Sequence, residues 1–198
     1  MKKDKKEKKR LCAPGLPTQG DTLDEMLDCY CRVFRPNLAA YLDVFRKMKL
    51  KEAIENASGK PCPCCGKCHP HQKRLTDAVH KIFTDELKKR RARIEKAKDF
   101  EKLYELVCEA RVWGIGPVTL YDAALRISAT LSVLPQKIVY LQGKAVIPYA
   151  ERLHQQEISC FDDRFSQRKM TAYEIEEFLC CFHKRLSEKA IIVTKPSK

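Results

Sequence analysis

A chain of 198 residues can bury one core without disulfide or metal staples, and none of its apolar runs approaches the roughly 20 residues of a membrane span. Its 39 lysines and arginines against 26 acidic residues give a formal charge of +13, which points to a polyanionic partner, nucleic acid first and an anionic membrane surface second. Eleven cysteines with no apolar leader at the start read as reduced thiols or metal ligands rather than a secreted disulfide framework, so a cytoplasmic protein is expected, with association with the nucleoid as one option.

Met1–Arg10 carries seven Lys or Arg against Asp4 and Glu7, a self-repelling block expected to be a disordered arm that meets phosphates without specificity. Pro14, Gly15, Pro17 and Gly20 make residues 11–20 a linker. Thr22-Leu23-Asp24-Glu25 has the form of a capping box, and Leu23, Met26, Leu27, Tyr30 and Phe34 follow at helical spacing until Pro36, which is expected to stop the helix. Leu38, Tyr41, Leu42, Phe45, Met48 and Ile54 predict a second helix over 38–57, with Gly59 capping its end.

The densest chemistry lies in residues 60–73, within Cys62-Pro63-Cys64-Cys65-Gly66-Lys67-Cys68-His69-Pro70-His71. Cys62, Cys65, Cys68 and His71 recur every third residue, the spacing by which one tight turn brings two thiolates to one zinc ion. Four ligands from ten residues would strain a tetrahedral site, so a full zinc site would borrow Cys29, Cys31 or His80. The other readings are a polar loop with incidental thiols and a cysteine nucleophile whose pKa Lys67, His69 or His71 would lower.

Ala78, Val79, Ile82, Phe83 and Leu87, with Thr76 as cap, predict a third helix that runs into Lys88-Lys89-Arg90-Arg91-Ala92-Arg93. Lys88, Lys89, Arg90, Arg91 and Arg93 are read as a phosphate-tracking patch, against the alternative of a solvated helix end. Asp99 caps a fourth helix with Phe100, Leu103, Tyr104, Val107 and Ala110 inward. There follows Trp113-Gly114-Ile115-Gly116-Pro117, in which two glycines make a reversal and Pro117 takes the first position of a fifth helix. Free loop amides beside a helix N-terminus suit a phosphate oxygen.

This run resembles the helix-hairpin-helix motif of DNA repair and replication proteins: Trp113-Gly114-Ile115-Gly116 matches its hydrophobic-Gly-hydrophobic-Gly hairpin, and Ala123 and Ala124 match the small residues on which its second helix packs. The likeness covers about 20 of the 198 residues. It implies a backbone grip formed by Gly114, Ile115, Gly116, Val118 and Thr119, flanked by Arg111 and Arg126. Tightly gripping members carry a cation just after the second glycine and an alanine nearby, where this chain has Val118 and Leu120. Helix-hairpin-helix glycosylases place a catalytic aspartate beyond the hairpin, whereas here none occurs between Asp122 and Asp162. Their iron–sulfur cysteine quartet is also absent, with Cys160, Cys180 and Cys181 the cysteines of that region.

Past Leu134-Pro135, Ile138-Val139-Tyr140-Leu141 suits a helix or a buried strand equally. A helix is expected around 150–156, then a charged loop with Asp162, Asp163 and Arg164. Thr171-Ala172-Tyr173-Glu174 forms a second capping box before a last helix carrying Ile175, Phe178, Leu179 and Phe182 on one face. The expectation is an all-α bundle of six or seven helices: one domain over 21–187 with the hairpin at 99–131, a basic arm and linker over 1–20, and a tail over 188–198. Its function is expected to be non-catalytic binding of nucleic acid, DNA first. The alternative is a glycosylase-like or nuclease-like enzyme using the Cys/His loop as metal or nucleophile site; a nuclease would want converging acids, for which Asp162, Asp163, Glu174, Glu176 and Glu177 are read first as a turn and a helix N-terminus.

Overall fold

The structure, a computed structural model, describes residues 18–59, 61–63, 66, 72–141, 155–189 and 193. The basic arm, most of the 60–73 loop including Cys65, Cys68 and His71, and residues 150–154 of the helix expected near 150–156 lie outside the described residues. What is described is mostly helical with one short two-stranded ribbon, in keeping with the all-α expectation. The sequence reading takes 21–187 as one domain; by contacts the chain forms two compact units, a central one over 37–134 and, flanking it in sequence, one made of residues 15–36 and those after Leu134.

Helix α1 (Leu23–Cys29) opens on the expected capping box. The Thr22 hydroxyl accepts from the Glu25 N–H at 3.3 Å, and the Glu25 carboxylate accepts from the Thr22 N–H at 3.0 Å. Pro36 does not end the helical run as expected. Residues Tyr30–Phe34 form a π turn in which the Arg35 N–H reaches back to the Tyr30 carbonyl, and helix α2 (Arg35–Arg46) continues with Pro36 in its first turn. The wide turn gives room to the proline ring and does not call on the N–H that proline lacks.

The single helix expected over 38–57 is two. Helix α2 stops at Arg46, residues 47–49 turn, and α3 (Leu50–Ser58) begins. The Phe45 carbonyl, which a continuing helix would use, accepts instead from the Met48 N–H at 3.0 Å and the Thr130 hydroxyl at 2.8 Å. Phe45 and Leu50 are both buried, so the apolar period runs across the break and conceals it.

Helix α4 (Asp77–Lys89) starts at its expected cap, where the Thr76 hydroxyl accepts from the Val79 N–H at 3.3 Å. The short α5 (Arg91–Ile94) leads to α6 (Phe100–Glu109), capped by Asp99 through a 2.8 Å bond from the Lys102 N–H. Helix α7 (Pro117–Leu131) has Pro117 in its first turn as expected and ends on Ser132 in the left-handed region. Fully buried Ala123 and Ala124 lie on α7, which packs on α3 and α6, while α3 packs on α4.

In the flanking unit, Ile138–Tyr140 resolves as strand β1, antiparallel to β2 (Gln155–Glu157) with Ile138 opposite Glu157. Gln155 and Gln156 are therefore extended, a correction to the helix expected there. The charged loop contains helix α8 (Asp163–Gln167), and α9 (Ala172–Glu188) closes the unit. Tyr30, Phe34, Phe161, Phe165, Phe178 and Phe182 form its buried aromatic core with edge and stacked contacts.

Candidate nucleic-acid interface

The loop between α6 and α7 is built as a β-turn. The Ile115 N–H reaches the Val112 carbonyl at 3.1 Å, which leaves Trp113 and Gly114 as the two central residues. Gly114 has φ +90°, the conformation that a type II turn requires at its third position and that a residue with a Cβ resists. Ile115 is buried and anchors the turn from below, and the Arg111 Nε donates to the Ile115 carbonyl at 3.0 Å. Arg111 and Gly114 are exposed.

The first backbone bond of α7 runs from the Leu120 N–H to the Gly116 carbonyl at 3.1 Å. The Val118 and Thr119 amides precede it, and the N-cap Gly116 has no side chain to occupy them. A Cβ at Gly116 would meet nothing within 4 Å, and one at Gly114 would meet only the Val79 methyls, the nearer at 3.8 Å. Residues Arg111–Gly116 line a shallow open depression. Among the expected grip residues, then, Gly114 is exposed, Gly116 and Val118 are half-buried, and Ile115 and Thr119 are buried.

Arg126 is not a surface cation. It is 5 % exposed, and its Nε, Nη1 and Nη2 donate to the Tyr41 hydroxyl at 2.8 Å, the Ala57 carbonyl at 3.3 Å and Asp122 at 3.3 Å. Burial works against the charge, but Tyr41 and Asp122 outweigh it and raise the pKa above the ordinary arginine value. The Arg126 guanidinium is committed to the interior of the central unit and is out of reach of a bound strand. Helical spacing cannot show this, because an arginine four residues after an aspartate reads equally well as an exposed ion pair.

The basic run is brought near the loop but is largely neutralised. Lys88 pairs with Glu55 at 2.9 Å, and Lys89 and Arg90 share Glu86 at 2.6 and 2.7 Å. Arg93 clasps Glu109 with two bonds of 2.7 and 3.0 Å, which ties the run to the last turn of α6, two residues before Arg111. Arg91 is exposed and makes no ion pair among the described residues. Of the five cations read as one patch, Arg91 is the one with no ion pair among the described residues.

Cys62 is buried within electrostatic reach of Arg126 and Tyr41. The Gly66 N–H closes a turn onto the Cys62 carbonyl at 2.8 Å with Gly66 at φ +68°. His80 is buried, its Nδ1 lying 3.0 Å from the Ser58 carbonyl. No group of three or more potential metal ligands occurs among the described residues. Three of the five acids considered for a nuclease hold structure instead: Asp162 chelates Arg164 at 2.8 Å, Glu177 accepts from the Tyr30 hydroxyl at 2.8 Å, and Glu174 takes Arg35 at 2.7 and 2.8 Å.

The sequence reading passed over Trp113, counting it only as the hydrophobic position before Gly114. It is 94 % exposed, and the available signal was its place before a glycine in a four-residue turn. Among the described residues no helix is long and apolar enough to cross a membrane. Comparison of the chain with family models, with curated proteins and with solved structures yields no match.

Proposed function

We propose that this protein binds nucleic acid, DNA first, without catalysis, by holding the phosphate backbone at the Gly114–Gly116 loop in the manner of a helix-hairpin-helix. The observation that carries the reading is the uncapped start of α7: no side chain bonds the amides ahead of its first backbone hydrogen bond, and the space beside Gly116 is open. A helix N-terminus with bare amides favours a phosphate oxygen through both its donors and its dipole. Arg111 and Arg91 supply cations nearby, and the +13 chain supplies the long-range attraction. Phosphate contacts of this kind carry no sequence information, so affinity falls steeply with salt and differs little between sequences. The cysteine-rich loop is proposed as a structural zinc site on its ligand spacing.

Gly116→Asp tests the grip. Gly116 has φ −89° and ψ 167°, the backbone of a normal N-cap, so an aspartate there caps α7 with its own carboxylate and leaves the fold as stable or slightly more so. The same carboxylate occupies the amides and repels phosphate. Losing one charge-assisted bond of roughly 1.5 kcal/mol lowers DNA affinity about tenfold or more, measured by fluorescence anisotropy at fixed salt. Unchanged affinity in the folded variant overturns the proposal.

A further inference from the structure

We infer that Trp113 is a stacking platform for an unpaired base, so that the loop selects single-stranded or locally opened nucleic acid over intact duplex. The inference rests on the backbone grip proposed above and names the substrate class of that site.

Trp113 is the one tryptophan of the chain, and with Ile82 it is one of two large apolar side chains exposed among the described residues. An indole is the largest apolar group a protein can bury, yet this one stands 94 % open on the corner of the turn. The turn itself is held firmly: Ile115 is buried, its N–H is bonded to Val112, and its carbonyl is bonded to Arg111. The ring is thus presented on a rigid support and not on a loose strand of chain.

The surroundings state what would cover it. Arg111 is the only charged residue between Ala110 and Asp122, and the uncapped amides of α7 begin five residues past the ring. A partner that offers a flat π face and an anion together fits both features, and a nucleotide is that partner. Duplex bases are closed within their own stack, so the ring can be covered only by a base freed from pairing, whereas the amides can take a phosphate from either form. Base-on-aromatic stacking contributes on the order of 1–3 kcal/mol and tolerates any base, in keeping with a grip that reads no sequence.

The single tryptophan makes the test direct. The full chain is titrated with a 16-residue oligothymidylate, with a blunt duplex of the same length, and with heparin as a polyanion without bases, while indole emission and anisotropy are followed. Stacking predicts strong quenching by the single strand, little by duplex or heparin, and about tenfold tighter binding of the single strand than of the duplex. W113A, at an exposed position the fold does not need, erases that preference, and W113F retains most of it. Binding of the single strand without quenching, or with W113A showing the same preference as the parent, overturns the inference and leaves the backbone grip standing. Binding of heparin with neither nucleic acid, or binding of no ligand, overturns both.

Discussion

Arg126 shows how one residue can look like a ligand-binding group and be a structural one. Its three hydrogen-bonding partners come from α2, α3 and α7, so its guanidinium joins three helices of the central unit. Arg126→Ala takes a donor from the Tyr41 hydroxyl and the counter-charge from Asp122, and removing one partner of a buried charged network costs about 3 kcal/mol or more. Urea unfolding reads this as a lowered midpoint at unchanged slope. Nucleic-acid affinity per folded molecule stays as it was, since the side chain never reaches the surface. A fall in affinity without a fall in stability would return Arg126 to the interface. Glu174 is a parallel case in the flanking unit. Its place in a capping box is legible from Thr171 onward, and its carboxylate does accept from the Thr171 N–H at 2.8 Å. Its bidentate hold on Arg35, 139 residues away, has no local signature.

Among the elements, those with a chemical start signal are legible and those ended by tertiary contacts are not. Thr22, Thr76, Asp99 and Pro117 each mark a helix start where the structure has one, because capping is a bond between neighbours in sequence. The break between α2 and α3 depends on Thr130 reaching the Phe45 carbonyl, and the passage of helix through Pro36 depends on a π turn that no period announces. The junction of α3 and α4 is set by close approach at Gly59, where an added Cβ would lie 3.0 Å from the His80 Cβ and 3.2 Å from the Thr84 hydroxyl. There φ is −169°, which any residue adopts, so the glycine answers to space and not to backbone strain. Gly59→Val pushes α4 away from α3 and costs about 2 kcal/mol, seen as a lower thermal midpoint. A neutral outcome would show that His80 and Thr84 yield freely.

At the scale of the whole molecule the question is where +13 of charge is free to act. Within 88–93, Lys88, Lys89, Arg90 and Arg93 are partnered by Glu55, Glu86 and Glu109, so they release few counterions on binding. Each cation that neutralises a phosphate contributes roughly 0.9 to the slope of log affinity against log salt for duplex DNA. Arg91→Ala accordingly reduces that slope by about one, and Lys89→Ala, whose partner is Glu86, changes it little. Equal reductions from the two would mean that the ion pairs open on binding. By itself the sequence determined the helical class, the capped helix starts, the basic balance and the glycine turn before α7, since each follows from composition or from residues a few positions apart. Only the tertiary structure decided that Arg126 is interior, that the basic run is mostly paired, that the chain forms two compact units and that Trp113 stands in solvent. Those outcomes depend on which distant side chain arrives beside a given group, and spacing along the chain carries no information about it.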